Sequence, residues 1–120
     1  MSRRIRSLRP INRTGRLKRA PAPVFAAMGD PTRLRLIAKL STGNRGSISE
    51  LTRGSRLTRQ AVTKHLRVLQ NAGIVRSVRS GREKLFEFNP EPLDEIQTFL
   101  DRISSQWDQA LARLKAFVES

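Results

Sequence analysis

Between Thr58 and Asn89 the apolar repeat of this chain changes once, from about 3.6 residues to about 2, with Gly73 at the switch. Val62, Leu66 and Leu69 fall on one side of a helix that opens at Thr58 and runs to about Asn71. Gly73 supplies the left-handed residue that closes such a helix, and Ile74 the apolar contact that follows it. Beyond it, Val75 to Arg79 and Lys84 to Asn89 alternate around Ser80-Gly81-Arg82-Glu83, which predicts two short strands and a hairpin turn, with Val78, Phe86 and Phe88 packed inward. Upstream, Ser47-Ile48-Ser49-Glu50 fits a capping box and starts a short helix to about Arg53, and Gly54-Ser55-Arg56 makes the turn into the next helix.

The fold expected is therefore mostly α with a small β-hairpin wing: a winged helix-turn-helix. Asp30-Pro31-Thr32-Arg33 starts an earlier helix, with Asp30 as N-cap and Pro31 where a missing N–H costs nothing. Leu34, Ile37, Ala38 and Leu40 are its expected buried stripe, and Gly43 ends it. A shorter apolar helix covers Val24 to Met28. Pro90 and Pro92 break the chain before the last element. From Leu93 the apolar positions Leu93, Ile96, Leu100, Ile103, Trp107, Ala110, Leu114 and Phe117 keep an unbroken heptad spacing, widened by Phe99, Leu111 and Val118. One small domain cannot cover so long a stripe. It is read as a dimerisation helix over about 92–118, with an interface of Phe25, Met28, Leu93, Ile96, Leu100, Ile103, Trp107, Leu111 and Leu114.

Charge decides what the outward faces are for. The 120 residues carry 24 Lys plus Arg against 10 Asp plus Glu, a net charge of +14. Residues 1–29 contribute +8 and residues 31–90 contribute +10, whereas residues 91–120 carry −3. Residues 1–20 read as a basic disordered arm ahead of a domain spanning 21–120; a transit peptide and an upstream extension without a role are the alternatives. On the helix after Thr58, Gln60, Lys64, Arg67 and Asn71 point away from the buried side, with Thr63 on the flank and Arg59 in the first turn. Amide, hydroxyl and cationic groups without a single acid are the types that read base edges and hold phosphates. His65, the single histidine, lies about 65° from the buried stripe, at a boundary position, and reads as a hydrogen-bonded structural residue or one touching a phosphate rather than a metal ligand or catalytic base. Arg76, Arg79, Arg82 and Lys84 are left near the wing tip and outer face.

No cysteine is present, so disulfides, thiolate metal sites and a cysteine nucleophile are excluded. No apolar run approaches the ~20 residues that span a bilayer, so a membrane partner is not expected. No nucleophile motif, phosphate loop or metal cluster points to an enzyme, and no cofactor is expected. The rival to sequence-specific regulation is a non-regulatory architectural or RNA-binding basic protein, against which the order of helix and wing argues.

Residues 26–37, Ala-Ala-Met-Gly-Asp-Pro-Thr-Arg-Leu-Arg-Leu-Ile, resemble the signature helix of the ArsR/SmtB bacterial repressors, with Gly29 where that family more often has Ala. Residues 60–69, Gln-Ala-Val-Thr-Lys-His-Leu-Arg-Val-Leu, resemble its recognition helix, and Ala72-Gly73-Ile74-Val75 and Arg79-Ser80-Gly81-Arg82 are similar too. The resemblance covers about 23–118. It implies a homodimeric winged helix on double-stranded DNA with an inverted-repeat operator, in the bacterial cytoplasm and on the nucleoid when bound. It also implies DNA contacts from Thr58, Arg59, Gln60, Thr63 and Lys64, with His65 against the backbone; Arg67, Arg79, Arg82 and Lys84 join them from the residue reading above. The family's metal sensors use cysteines before the recognition helix, or His and acid pairs on the last helix. Here Glu50-Leu51-Thr52-Arg53 has no thiol, and Asp94, Asp101 and Asp108 stand without a His. The resemblance is thus to the metal-independent branch, whose members often repress a neighbouring gene or their own, and whose inducer is frequently unknown.

Overall fold

In a computed structural model of the chain, residues 19–120 are described. The element order is α1 (Pro21–Met28), α2 (Pro31–Leu40), α3 (Ile48–Thr52), α4 (Arg59–Asn71), β1 (Val75–Ser80), β2 (Glu83–Phe88) and α5 (Glu91–Glu119). Most of the arm assigned to residues 1–20 lies outside the described residues. Arg19, counted in that arm, is docked: it hydrogen-bonds Glu95 on α5, through its backbone N–H at 3.3 Å and its guanidinium at 2.5 Å. Glu95 is buried, and a buried carboxylate needs such a partner.

Local chemistry sets the helix ends. Asp30 caps α2 by accepting from Arg33 N at 3.0 Å, and the capping box of Ser47 and Glu50 closes in both directions. Thr58 caps α4 by accepting from Ala61 N. The end of α4 is a Schellman motif: Gly73 has φ +80°, Ile74 N donates to Leu69 O, and Gly73 N donates to Gln70 O. The hairpin turn has two central residues, Gly81 and Arg82, between the paired Ser80 and Glu83. Gly81 has φ +62° and no described non-glycine has positive φ, which is the type II′ pattern.

One core joins these elements. Val24 and Ala27 of α1, Leu36, Ile37 and Leu40 of α2, and Leu51 of α3 meet Val62, Leu66 and Leu69 of α4. Ile74, Val75, Phe86 and Ile96 complete it. The expected stripe of α2 is corrected: Leu34 is 47% exposed and Ala38 is exposed, while Leu36 is buried. Residues 31–40 hold so many apolar side chains that two stripes fit the helical period; Arg33 settles the phase by bonding Ala27 O (2.7 Å) and Ala26 O (3.3 Å), which turns Leu36, Ile37 and Leu40 inward.

The wing also departs from expectation. Val78 pairs with Leu85 on the face opposite Phe86 and Phe88, because the register couples Ser77 to Phe86 and Val75 to Phe88. Gly46 adds a bridge to the sheet, exchanging backbone bonds with Phe86 at 3.0 and 2.8 Å. Finally, α5 begins at Glu91, not after Pro92. Pro92 sits in the first turn, where no intrahelical N–H is required, and its ring is buried.

Candidate nucleic-acid interface

Packing Val62, Leu66 and Leu69 into the core fixes which way α4 faces. Gln60, Lys64, Arg67 and Asn71 then lie within about 60° of one another on the exposed side. Among the described residues the side chains of Gln60, Lys64 and Arg67 make no hydrogen bond or ion pair, and α4 contains no acid. Thr58 and Thr63 are partly committed: the Thr58 oxygen caps the helix, and the Thr63 hydroxyl donates to Arg59 O at 2.7 Å. Arg59 donates to Ser49 Oγ at 2.8 Å, which holds its guanidinium over the start of α3. Ser49 was not among the expected site residues, since its position beside Arg59 arises only once the two helices cross.

His65 makes the structural contacts that its boundary position allows, with partners that the sequence did not name. Its Nδ1 is 3.3 Å from Arg33 Nη1 and 3.9 Å from Asp30 Oδ2. The ring therefore ties α4 to the loop between α1 and α2. A backbone hydrogen bond from Arg33, the Arg33 charge and His65 together hold the Asp30 carboxyl below its usual range.

The wing has two electrostatic halves. At its base, Glu87 sits between Arg76 (2.5 Å) and Arg45 (2.8 Å), and the hydrogen bond from Arg76, then that from Arg45, hold its carboxyl below the ordinary value. Towards the tip, Arg79 and Lys84 are direct cross-strand partners, a like-charge pairing that disfavours the sheet when left alone. Arg82 is exposed at the turn, and Lys84 Nζ lies 5.6 Å from the Phe86 ring centre. Arg76, expected with the tip cations, is spent on Glu87. The unbalanced positive charge of α4 and of the wing tip is what a polyanion would neutralise.

The residues expected at a dimer interface divide into two groups. Ile96 is 5% exposed inside the protomer's own core, and Leu93 and Met28 are partly buried against it, because the first turns of α5 lie on α1. Leu100, Ile103, Trp107, Leu111 and Leu114 are all exposed on one stripe, and Phe117 and Val118 extend it. Phe25 is exposed beside them and meets Phe99 edge-on, with ring centres 6.2 Å apart. Among the described residues no group of three or more His, Asp or Glu side chains is placed to hold a metal ion, and no helix is long and apolar enough to cross a membrane.

A helix-turn-helix with a basic hairpin wing and an acid-free outward helix defines a winged helix-turn-helix protein of the DNA-binding regulator class. Comparison with known proteins agrees. A family model described as a helix-turn-helix domain matches residues 28–78. The HTH-type transcriptional regulator YuzN of Bacillus subtilis is 40% identical over 79 residues, covering 61% of this chain and 86% of that protein. The HTH-type transcriptional regulator Rv2034 of Mycobacterium tuberculosis is 30% identical over 102 residues, covering 85% and 92%. An ArsR-like transcriptional regulator from Rhodococcus has the same fold with a TM-score of 0.78 at 38% identity, over 82% of this chain and 90% of that one. The chain belongs to the ArsR/SmtB family of helix-turn-helix transcriptional regulators, a family not known for enzymes.

Proposed function

We propose that this regulator is a homodimeric repressor that binds an inverted-repeat operator and works without the Cys or His metal sites used by the family's metal sensors. The observation that carries the DNA reading is the unpaired set Gln60, Lys64 and Arg67, flanked by a wing tip where Arg79 faces Lys84. Two such helices about 34 Å apart would enter successive major grooves, with α4 reading bases and the wing bonding the sugar-phosphate backbone. Thr58, Arg59 and Thr63 would assist from the first turns of α4, and His65 would keep the helix in register with α2. The dimer reading rests on the exposed stripe from Leu100 to Phe117, now without Ile96. The absence of cysteine supports the metal-independent reading, and a bacterial cytoplasmic location follows from a partner that is chromosomal DNA.

Selection of bound duplexes from a random pool tests this reading. One recovered palindromic sequence, with Gln60→Ala and Arg67→Ala each lowering discrimination against random DNA by about 1–3 kcal/mol, is the expected result. Equal loss on selected and random DNA would exclude base reading, and recovery of no preferred sequence would favour an architectural role.

A further inference from the structure

A cleft of about 360 Å³ opens between α2 and the turn that joins α3 to α4. Its size falls within the range of small-molecule sites, roughly 300–1,000 Å³. Three other clefts are smaller, about 160, 230 and 270 Å³. The floor is apolar and drawn from four different segments: Leu36 of α2, Leu51 of α3, Leu57 of the turn and Val62 of α4. The rim is cationic, with Arg35 and Lys39 on one side and Arg56 on the other, and among the described residues no acid lines the cleft. Among the described residues Arg35 reaches only Thr32 Oγ1, at 3.4 Å, and the Lys39 and Arg56 head groups bond none.

We infer that this cleft binds a small organic anion, a carboxylate on an aromatic or short aliphatic body, and that its occupancy sets the pose of α4. The inference rests on the reading of the protein as a DNA-binding regulator. Charge complementarity selects the anion, and the floor selects the body: Leu36, Leu51 and Val62 are already buried, but Leu57 is only partly buried, and an inorganic phosphate, or a phosphate of DNA, would satisfy the rim and leave its apolar surface uncovered. A ligand of roughly 10–15 non-hydrogen atoms fits the volume. Coupling follows from the wall. Ser55 N donates to Thr52 O, and Leu57 N donates to Ser55 Oγ, so the turn is a single hydrogen-bonded unit, with Gly54 at φ +78°. That unit carries Arg56 and Leu57 into the cleft and leads one residue later to the Thr58 cap of α4. A bound anion bridging Arg56 to Lys39 and Arg35 draws the turn towards α2 and moves the start of α4 with it. Whatever the ligand does to DNA affinity, DNA must do equally to ligand affinity.

The test uses the full isotope-labelled chain, titrated with naphthoate, benzoate and octanoate to about 5 mM, with the uncharged naphthamide as control. The expected result is saturable amide shifts at Leu36, Leu51, Ser55 and Val62 that extend to Gln60 and Lys64. Naphthamide should bind at least about 10-fold more weakly, and Lys39→Gln combined with Arg56→Gln should weaken naphthoate by a similar factor. Naphthoate should then change affinity for the pool-selected duplex by about 5-fold or more. No saturable shift with any of the three acids, or equal binding of naphthamide, overturns the site. Saturation with unchanged duplex affinity overturns the coupling. A chain that holds naphthoate in the cleft yet prefers no duplex sequence supports the site and refutes the regulator reading instead.

Discussion

Trp107 offers the sharpest test of the dimer. It sits midway along the stripe of α5 with 64% of its surface uncovered in the protomer. For a side chain of about 250 Å² that is roughly 160 Å². Covering it at about 25 cal/mol/Å² would stabilise association by up to about 4 kcal/mol per protomer, and two-fold symmetry applies the same change twice. Incomplete coverage and the ordering of side chains at the interface reduce that figure. For Trp107→Ala we expect a loss of about 2–4 kcal/mol per dimer, which raises the dimer Kd roughly 30- to 700-fold. Sedimentation equilibrium across a dilution series measures it directly. The protomer should remain folded, because Trp107 lies outside the core cluster, and far-ultraviolet circular dichroism at high dilution checks that point. A dimer Kd unchanged within about 2-fold would refute the reasoning, since no interface that covers Trp107 could ignore its removal.

The wing tip, the acid response and the Gly46 bridge give three further tests. Arg79→Ser should lower the salt dependence of DNA binding by about one unit of log–log slope while leaving the fold at least as stable, because its cross-strand neighbour is Lys84; an unchanged slope removes Arg79 from the interface. Asp30, Glu50 and Glu87 are all held below their ordinary values of 3.8, 4.5 and 4.5, by backbone hydrogen bonds at the two caps and by Arg76 at Glu87. Their contribution is present above about pH 4.5 and is lost as pH falls through the folded values, so the melting temperature should fall as pH drops below about 4.5. An Asp30→Asn, Glu50→Gln, Glu87→Gln chain that kept the same slope would exclude these groups. A Cβ on Gly46 would lie 3.0 Å from Leu51 Cδ2 and 3.1 Å from Cγ, so Gly46→Ala should cost about 1–3 kcal/mol by urea denaturation. Leu51→Ala should relieve part of that cost, and strictly additive effects would disprove the clash.

The caps, the glycine that ends α4 and the hairpin turn were legible because each depends on residues within a few positions of one another. Asp30, Ser47 and Thr58 accept backbone N–H groups three residues on, and Gly73 and Gly81 take the positive φ that their turns need. The outward set of α4 was legible for the same reason: one helical period relates it to the buried Val62, Leu66 and Leu69. These local rules, with the charge of residues 31–90, were enough to expect a winged helix-turn-helix facing a polyanion.

What they could not give was anything set by chain segments far apart in sequence. The phase of α2 depends on Arg33 reaching back to the carbonyls of α1, and the inner face of β1 on its register with β2. For His65 the period gave only a boundary position; its partner, Arg33 at Nδ1, comes from 32 residues away in sequence. The heptad stripe of α5 is continuous in sequence, yet the fold divides it: Ile96 enters the protomer core and Leu100 onward remains uncovered. Sequence alone determined where elements begin, end and face, because those choices are made by hydrogen bonds and periods within one segment. Only the tertiary structure decided which face is already covered, which cations already have a carboxylate and where a cleft remains, because these depend on distances between segments.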